Sequence, residues 1–326
     1  MRRFDNAMLL RAGAAAALLS LAGCAGHKTA TRPTSVATPS RADDVTRPQS
    51  KRYAQDNDAG PGGAPPDLSK IPEPVPRAEP RSVYGNKSPY EVLGQTYKVL
   101  PKAQGYAERG IASWYGNKFH GYTTSNFEKY DMYAYSAAHK TLPLPSYARV
   151  TNLENGASVI VRVNDRGPFA ENRIIDLSYV AALKLGIWQK GTGMVEVRAI
   201  DPDRPESLRA GAPLHEPAHA TQPAELAAAQ SPAPLKTSAA NLAENGHKPA
   251  LYLQVGAYAD HANAERAAAT LREARLGEVR IVDSSVNGRT IQRVRLGPIR
   301  DVEAMDSLAP RVRALGLGEP RAAVEE

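Results

Sequence analysis

Asp165 stands where a carboxyl group could do proton chemistry. It sits at the end of a strand-like segment and precedes Arg166-Gly167-Pro168, a turn from which side chains project into a groove. To act as an acid near neutral pH it needs a pKa raised by burial or by a like charge. The neighbouring cation Arg166 would lower it, although adjacent strand residues face opposite sides. The competing role is structural, an aspartate accepting hydrogen bonds from the amides of its own turn. Asp176, in Asp176-Leu177-Ser178 ahead of a short helix, poses the same choice, and its position favours capping that helix. Trp114 and Tyr115 offer aromatic faces that can stack on a ligand, but in a strand only one of the two can face a groove. Gln254, Tyr258, Arg293 and Arg295 bring amide, phenol and guanidinium groups that bond hydroxyls and carboxylates.

These residues fall in two blocks. Residues 106–200 read mostly as strand, at 110–115, 147–152, 158–163 and 195–199, with a short helix over 177–185 ended by Gly186. Asn155-Gly156 between the second and third strands supplies the positive φ angles of a tight hairpin. Short strands and one small helix in about 95 residues point to a compact β-barrel. Residues 249–326 run strand, helix, strand, strand, helix, strand, which an antiparallel four-stranded sheet with two helices on one face satisfies. Alternation of Leu251, Leu253, Val255 and Ala257 puts Gln254 and Tyr258 on the helix-free face, with Arg293 and Arg295 on the matching face of their strand. The fold class is thus mainly β followed by α+β. Residues 24–81 and 201–248 are rich in Pro, Ala, Ser, Thr and Gly and read as a disordered tether and linker. Residues 82–105 form a lead-in whose aromatics, Tyr84, Tyr90 and Tyr97, leave its packing open.

The compartment is set by residues 1–23. Arg2, Arg3 and Arg11 precede an apolar run too short to span a bilayer, and Leu21-Ala22-Gly23-Cys24 places small residues before a cysteine. That is a secretory signal peptide whose last four residues resemble a bacterial lipobox, with Cys24 as the lipidated new N-terminus. Ala25, where inner-membrane retention would call for Asp, points to an outer membrane lipoprotein facing the periplasm. Cys24 is the sole cysteine, so the mature fold has neither an internal disulfide nor a thiolate metal site. A net charge of +7 suits anionic lipid or an acidic wall polymer, and export removes nucleic acid as a partner. His247 and His261 have no metal-ligand spacing, so neither a metal nor another cofactor is expected.

The first block resembles the double-psi β-barrel of the rare lipoprotein A family. The carrying segments are Ala112-Ser113-Trp114-Tyr115-Gly116, Phe119-His120-Gly121, Ala137-Ala138-His139-Lys140-Thr141-Leu142-Pro143, Val161-Arg162-Val163-Asn164-Asp165-Arg166-Gly167-Pro168-Phe169 and Arg173-Ile174-Ile175-Asp176-Leu177-Ser178. Leu253-Gln254-Val255-Gly256-Ala257-Tyr258 and Arg293-Val294-Arg295-Leu296-Gly297-Pro298 resemble a sporulation-related repeat (SPOR) domain.

The resemblance implies a lytic transglycosylase acting on peptidoglycan glycan strands stripped of stem peptides. Such an enzyme cleaves between N-acetylmuramic acid and N-acetylglucosamine without consuming water and leaves a 1,6-anhydro ring. One carboxyl can serve there as acid and then base, without the two-carboxylate layout of hydrolases. SPOR domains bind the same stripped strands, enriched at the division septum, which makes division proteins possible partners. The family motif places a catalytic aspartate at Asp165 and gives functional weight to Glu128 and His139. Glu128 would stabilise the positive sugar or hold up the pKa of Asp165, and His139 would orient a carboxylate or bond a hydroxyl. Asn164 and Arg166 beside Asp165 would contact the glycan, as would Trp114 or Tyr115. Related barrels in plant expansins make Asp176 a rival acid and a non-catalytic glycan binder the rival function. One departure stands out: Phe127 occupies a position where family members commonly carry glycine, so the loop presenting Glu128 is expected to be shaped differently.

Overall fold

The computed structural model describes residues 43–47, 49–54, 57–204, 249–286 and 288–325. Cys24, the leader and most of the 201–248 linker lie outside them. After a single helical turn, α1 (Gln49–Arg52), and a hairpin of β1 (Tyr90–Val92) and β2 (Gln95–Tyr97), six strands form the barrel. These are β3 (Ala107–Tyr115), β4 (Ser136–His139), β5 (Ser146–Asn152), β6 (Ser158–Asp165), β7 (Arg173–Ser178) and β8 (Thr192–Ile200). They close in the order β3-β7-β4-β6-β5-β8, with β3/β7 and β4/β6 parallel and the other pairs antiparallel. The expected hairpin joins β5 to β6, with buried Val150 opposite buried Val159 and Gly156 at φ 72°. Helix α2 (Tyr179–Leu185) is capped by the Ser178 side chain and ended by Gly186 at φ 73°, so Ser178, not Asp176, is its N-cap. Alternation does not mark β4, because all four of its residues are buried.

The second block carries a sheet of β9 (Ala250–Tyr258), β10 (Val279–Val286), β11 (Arg289–Ile299) and β12 (Arg321–Glu325) in the order β10-β11-β9-β12, all antiparallel. Helices α3 (His261–Glu273) and α4 (Val302–Ala314) are capped by Asp260 and Asp301 and pack their apolar sides on it through Leu271, Met305 and Val312. This sheet and its helices meet the barrel directly. Ile111 of β3 is buried in the apolar cluster of the second block, Arg173 pairs with Asp306 at 3.0 Å, and Arg313 pairs with Glu171.

The tether expected over 24–81 needs correcting where it is described. From Asp58 onward the chain lies against the barrel as a strap. The Asp58 carboxylate accepts from the amides of Gly116 and Lys118 at 2.7 and 3.0 Å, Glu73 accepts from the Ile160 amide at 2.8 Å, and Leu68 and Ile71 pack on the core. Composition misled because the strap builds no core of its own. Its carboxylates satisfy barrel amides, and prolines such as Pro72, Pro74 and Pro76 pre-extend it, which lowers the entropy lost on docking. The 82–105 lead-in is likewise ordered: Tyr90 stacks on Tyr97 and donates its hydroxyl to the Lys140 carbonyl at 2.7 Å.

Candidate functional site

The parallel crossing in the barrel brings two carboxyl groups together. Ala138 of β4 is in register with Asp165 on β6 and with Asp176 on β7, so the two aspartates flank it. Burial raises the pKa of both, and at Asp176 the charge of Asp165 adds to the rise. Three hydrogen bonds work against the rise at Asp165, from the Ser125 amide at 2.8 Å, the Ser125 hydroxyl at 2.5 Å and the Arg166 amide at 2.8 Å. All three fall on Oδ1. Oδ2 carries none of the described hydrogen bonds, and the residue keeps partial exposure. Asp176 accepts from the Ser113 hydroxyl on Oδ1 and, like Asp165, keeps partial exposure.

The loop preceding β4 supplies the third carboxylate. Glu128 accepts from Arg162 at 2.5 Å and from Asn164 at 2.9 Å, both on Oε2. Desolvation raises its pKa, but these hydrogen bonds and the Arg162 charge prevail and leave it below the usual range, hence ionised. Arg162 is shared with Glu79 of the strap at 2.9 Å, and Glu79 also accepts from the Tyr147 hydroxyl. The Arg162 hydrogen bond is the chief cause that takes the Glu79 pKa down to about 2. Phe127 stands at φ 69°. The left-handed turn that glycine would provide is therefore present, at a backbone cost for a bulky residue.

Several residues assigned to the glycan from sequence serve other ends. Arg166 donates to three backbone carbonyls, Gly85 at 2.8 Å, His139 at 3.0 Å and Leu142 at 2.5 Å, and so pins the lead-in to the barrel. His139 is 2 % exposed. Its Nδ1 accepts from the amides of Thr141 and Leu142 at 3.1 and 3.0 Å, and its Nε2 faces the Tyr106 hydroxyl at 2.8 Å. Burial lowers its pKa to about 3, so it stays neutral, and its described hydrogen bonds go to neither aspartate. Tyr115 is core, stacked on Tyr130 at 4.1 Å, and Trp114 bonds the Trp188 carbonyl at 3.1 Å beside Tyr179. Buried Asn164 reaches Glu128, not open groove. Replacing Arg166 by lysine keeps the charge but not the planar fork, leaving buried carbonyls unpaired. The expected result is a loss of about 2–4 kcal/mol of stability, read as a lower denaturation midpoint.

On the second block one register row crosses the whole sheet: Arg280, Arg295, Gln254 and Arg321 lie side by side on β10, β11, β9 and β12. Arg280 and Arg321 escaped the sequence reading because the pairing of β10 and β12 is not legible there. Arg295 pairs with Glu325, while Arg293 donates to Ser284 at 2.9 Å. Tyr258 does not share this face. A bulge sets Val294 opposite Gly256 and Arg295 opposite Gln254, leaving Val255 unpaired. An extra residue reverses the alternation, so Tyr258 turns toward the core with its ring over Gly256, and Ala257 is exposed instead.

Comparison with known proteins follows the same division. A family profile described as "Lytic transglycolase" matches residues 107–197, and one for the SPOR domain matches residues 248–320. The chain is 45% identical over 277 residues to the "Endolytic peptidoglycan transglycosylase RlpA" of Pseudomonas aeruginosa (strain UCBPP-PA14), covering 78% of this chain and 81% of that protein. It is 51% identical over 158 residues to the protein of the same name from Vibrio cholerae, covering 48% of this chain and 59% of that one. Among solved structures, the RlpA SPOR domain of Pseudomonas aeruginosa is 36% identical, covering 22% of this chain and 96% of that chain with a TM-score of 0.22.

Proposed function

Because this chain belongs to the rare lipoprotein A family, we propose that its barrel cleaves peptidoglycan glycan strands with Asp165 as the acid–base carboxyl. The protein is a peptidoglycan lytic transglycosylase, a lyase, joined to a SPOR domain that binds peptidoglycan. The observation that carries the assignment is the pair formed by Asp165 and Asp176. Burial favours the protonated acid at Asp165, and its bonding leaves Oδ2 to hold the proton.

In the first step Oδ2 gives its proton to the glycosidic oxygen as the bond from that oxygen to the muramic C1 breaks. The amides and hydroxyl on Oδ1 steady the resulting carboxylate. The same carboxylate then removes the proton of the sugar's 6-hydroxyl as its oxygen closes on C1, giving the 1,6-anhydro ring and restoring the acid. No water is consumed. Ionised Glu128, its Oε2 held by Arg162 and Asn164, adds negative charge to the site.

The substrate is taken to be strands stripped of stem peptides, and the site of action the division septum. Cys24, lipidated, would hold the protein at the outer membrane facing the periplasm. The row of Arg280, Arg295, Gln254 and Arg321 suits the hydroxyls and carboxylates of such strands. A non-catalytic, expansin-like binder is the competing reading, and the capping of Asp165 by Ser125 is the observation in its favour. Turnover on intact sacculi before and after amidase stripping tests the substrate class. Anhydro ends are expected only after stripping; equal release from both would contradict it.

A further inference from the structure

Beside the carboxylates the surface carries a half-exposed aromatic pair. Tyr84 and Phe127 stack on each other with ring centroids 4.0 Å apart, yet they are 52% and 51% exposed. Phe127 holds φ 69°, a conformation that a bulky residue reaches only at an energetic cost, and its half-exposed ring recovers little by burial. Unburied strain of this kind concentrates at functional surfaces.

The position is more telling than the exposure. Phe127 directly precedes Glu128 and lies two residues after Ser125, which holds Asp165. Tyr84 is fixed through its neighbours. Ser82 donates its hydroxyl to the Asn126 carbonyl at 3.3 Å and receives the Tyr84 amide at 3.2 Å. A Cβ on Gly85 would stand 2.8 Å from the Ser125 carbonyl oxygen, so the chain beside Tyr84 lies in contact with that loop and has no room for a side chain there. The Gly85 carbonyl accepts from Arg166 at 2.8 Å. Gly85 is thus clamped between the two residues whose amides hold Asp165.

We propose that the stacked Tyr84–Phe127 pair is a sugar-binding subsite, a platform for the apolar face of an N-acetylhexosamine ring next to the scissile bond. Each ring uses one face on the other and keeps its second face for a sugar. Aromatic faces supply contact area at low entropy cost, and the partner ring removes the freedom that an exposed side chain would lose on binding. The proposal rests on the reading of the barrel as the glycan-cleaving module. It makes substrate affinity depend on two residues outside the carboxylate cluster, one of them donated by the lead-in.

Kinetics of the full mature chain on peptide-free strands test it, with Phe127→Gly, Tyr84→Ala and Phe127→Trp compared to the native protein. Glycine accepts φ 69° without strain, so Phe127→Gly should fold with an unchanged or higher melting temperature. KM is expected to rise about tenfold, with kcat within about twofold. Tyr84→Ala should act in the same direction, and Phe127→Trp should keep the native KM. An unchanged KM in both truncations overturns the platform, as does a fall in kcat alone, which would assign Phe127 to shaping the Glu128 loop. If the native chain releases no anhydro ends, the cleavage reading fails separately. Strand binding then decides, and an equal dissociation constant for native and Phe127→Gly chains overturns the platform.

Discussion

Asp165→Asn is expected to lower kcat by about 10²–10⁴-fold, the range that a positioned general acid–base group supplies, while strand binding survives. The effect has a pH signature. Burial raises the Asp165 pKa, and the protonated form starts the reaction, so activity should fall as pH rises through that raised value. Removing the Ser125 hydroxyl takes away a hydrogen bond that holds the pKa down, so Ser125→Ala should move the basic limb of the kcat/KM profile to higher pH. Stability should fall over the same rise in pH. Between the unfolded and the raised folded pKa the native state binds the extra proton, so Asp165 costs stability as pH rises through that window. Asp165→Asn should therefore be no less stable than the native chain at neutral pH, the trade-off expected of a residue kept for chemistry. An Asp165→Asn chain with near-native kcat would transfer the role to Asp176.

The second large effect is structural. Arg162 is shared by two carboxylates, with side-chain exposures of 20% for Arg162, 17% for Glu79 and 40% for Glu128. Arg162→Met leaves Glu79 facing the Tyr147 hydroxyl and the more exposed Arg77 only. Losing one partner of such a pair costs about 2–3 kcal/mol here, reduced from the fully buried case because water reaches all three groups. With its pKa down at about 2, Glu79 adds stability that is complete above the normal carboxylate range and lost as pH falls toward 2. The variant should lose that contribution, so urea midpoints of native and variant chains should converge in acid. A gap that stays constant down to pH 2 would show that the ion pair does not carry the effect.

Much of the architecture was readable from local pattern. The Asn155-Gly156 hairpin and the Gly186 stop follow from short-range rules, and both sheets form as expected. Strand β4 was not, because a strand buried on every residue has no polar alternation to show. At the site, Asp165 was marked by its place at a strand end before a turn, whereas Ser125 and Glu79, 40 and 83 residues from the partners they hold, carry no local mark. Arg166 and His139 misled for a related reason: polar side chains in a motif answer buried carbonyls and amides as readily as they answer a substrate. Tyr258 was misplaced by a single unpaired residue, since period-two reasoning cannot foresee a bulge.

The most direct test of cleavage by an acid–base carboxyl is mass spectrometry of the products that the native mature chain releases from peptide-free strands. The proposed chemistry predicts fragments ending in 1,6-anhydro-muramic residues, with no water added across the broken bond. Fragments heavier by one water would show hydrolysis and contradict the single-carboxyl cycle, and bound but unbroken strands would make the barrel a binding module.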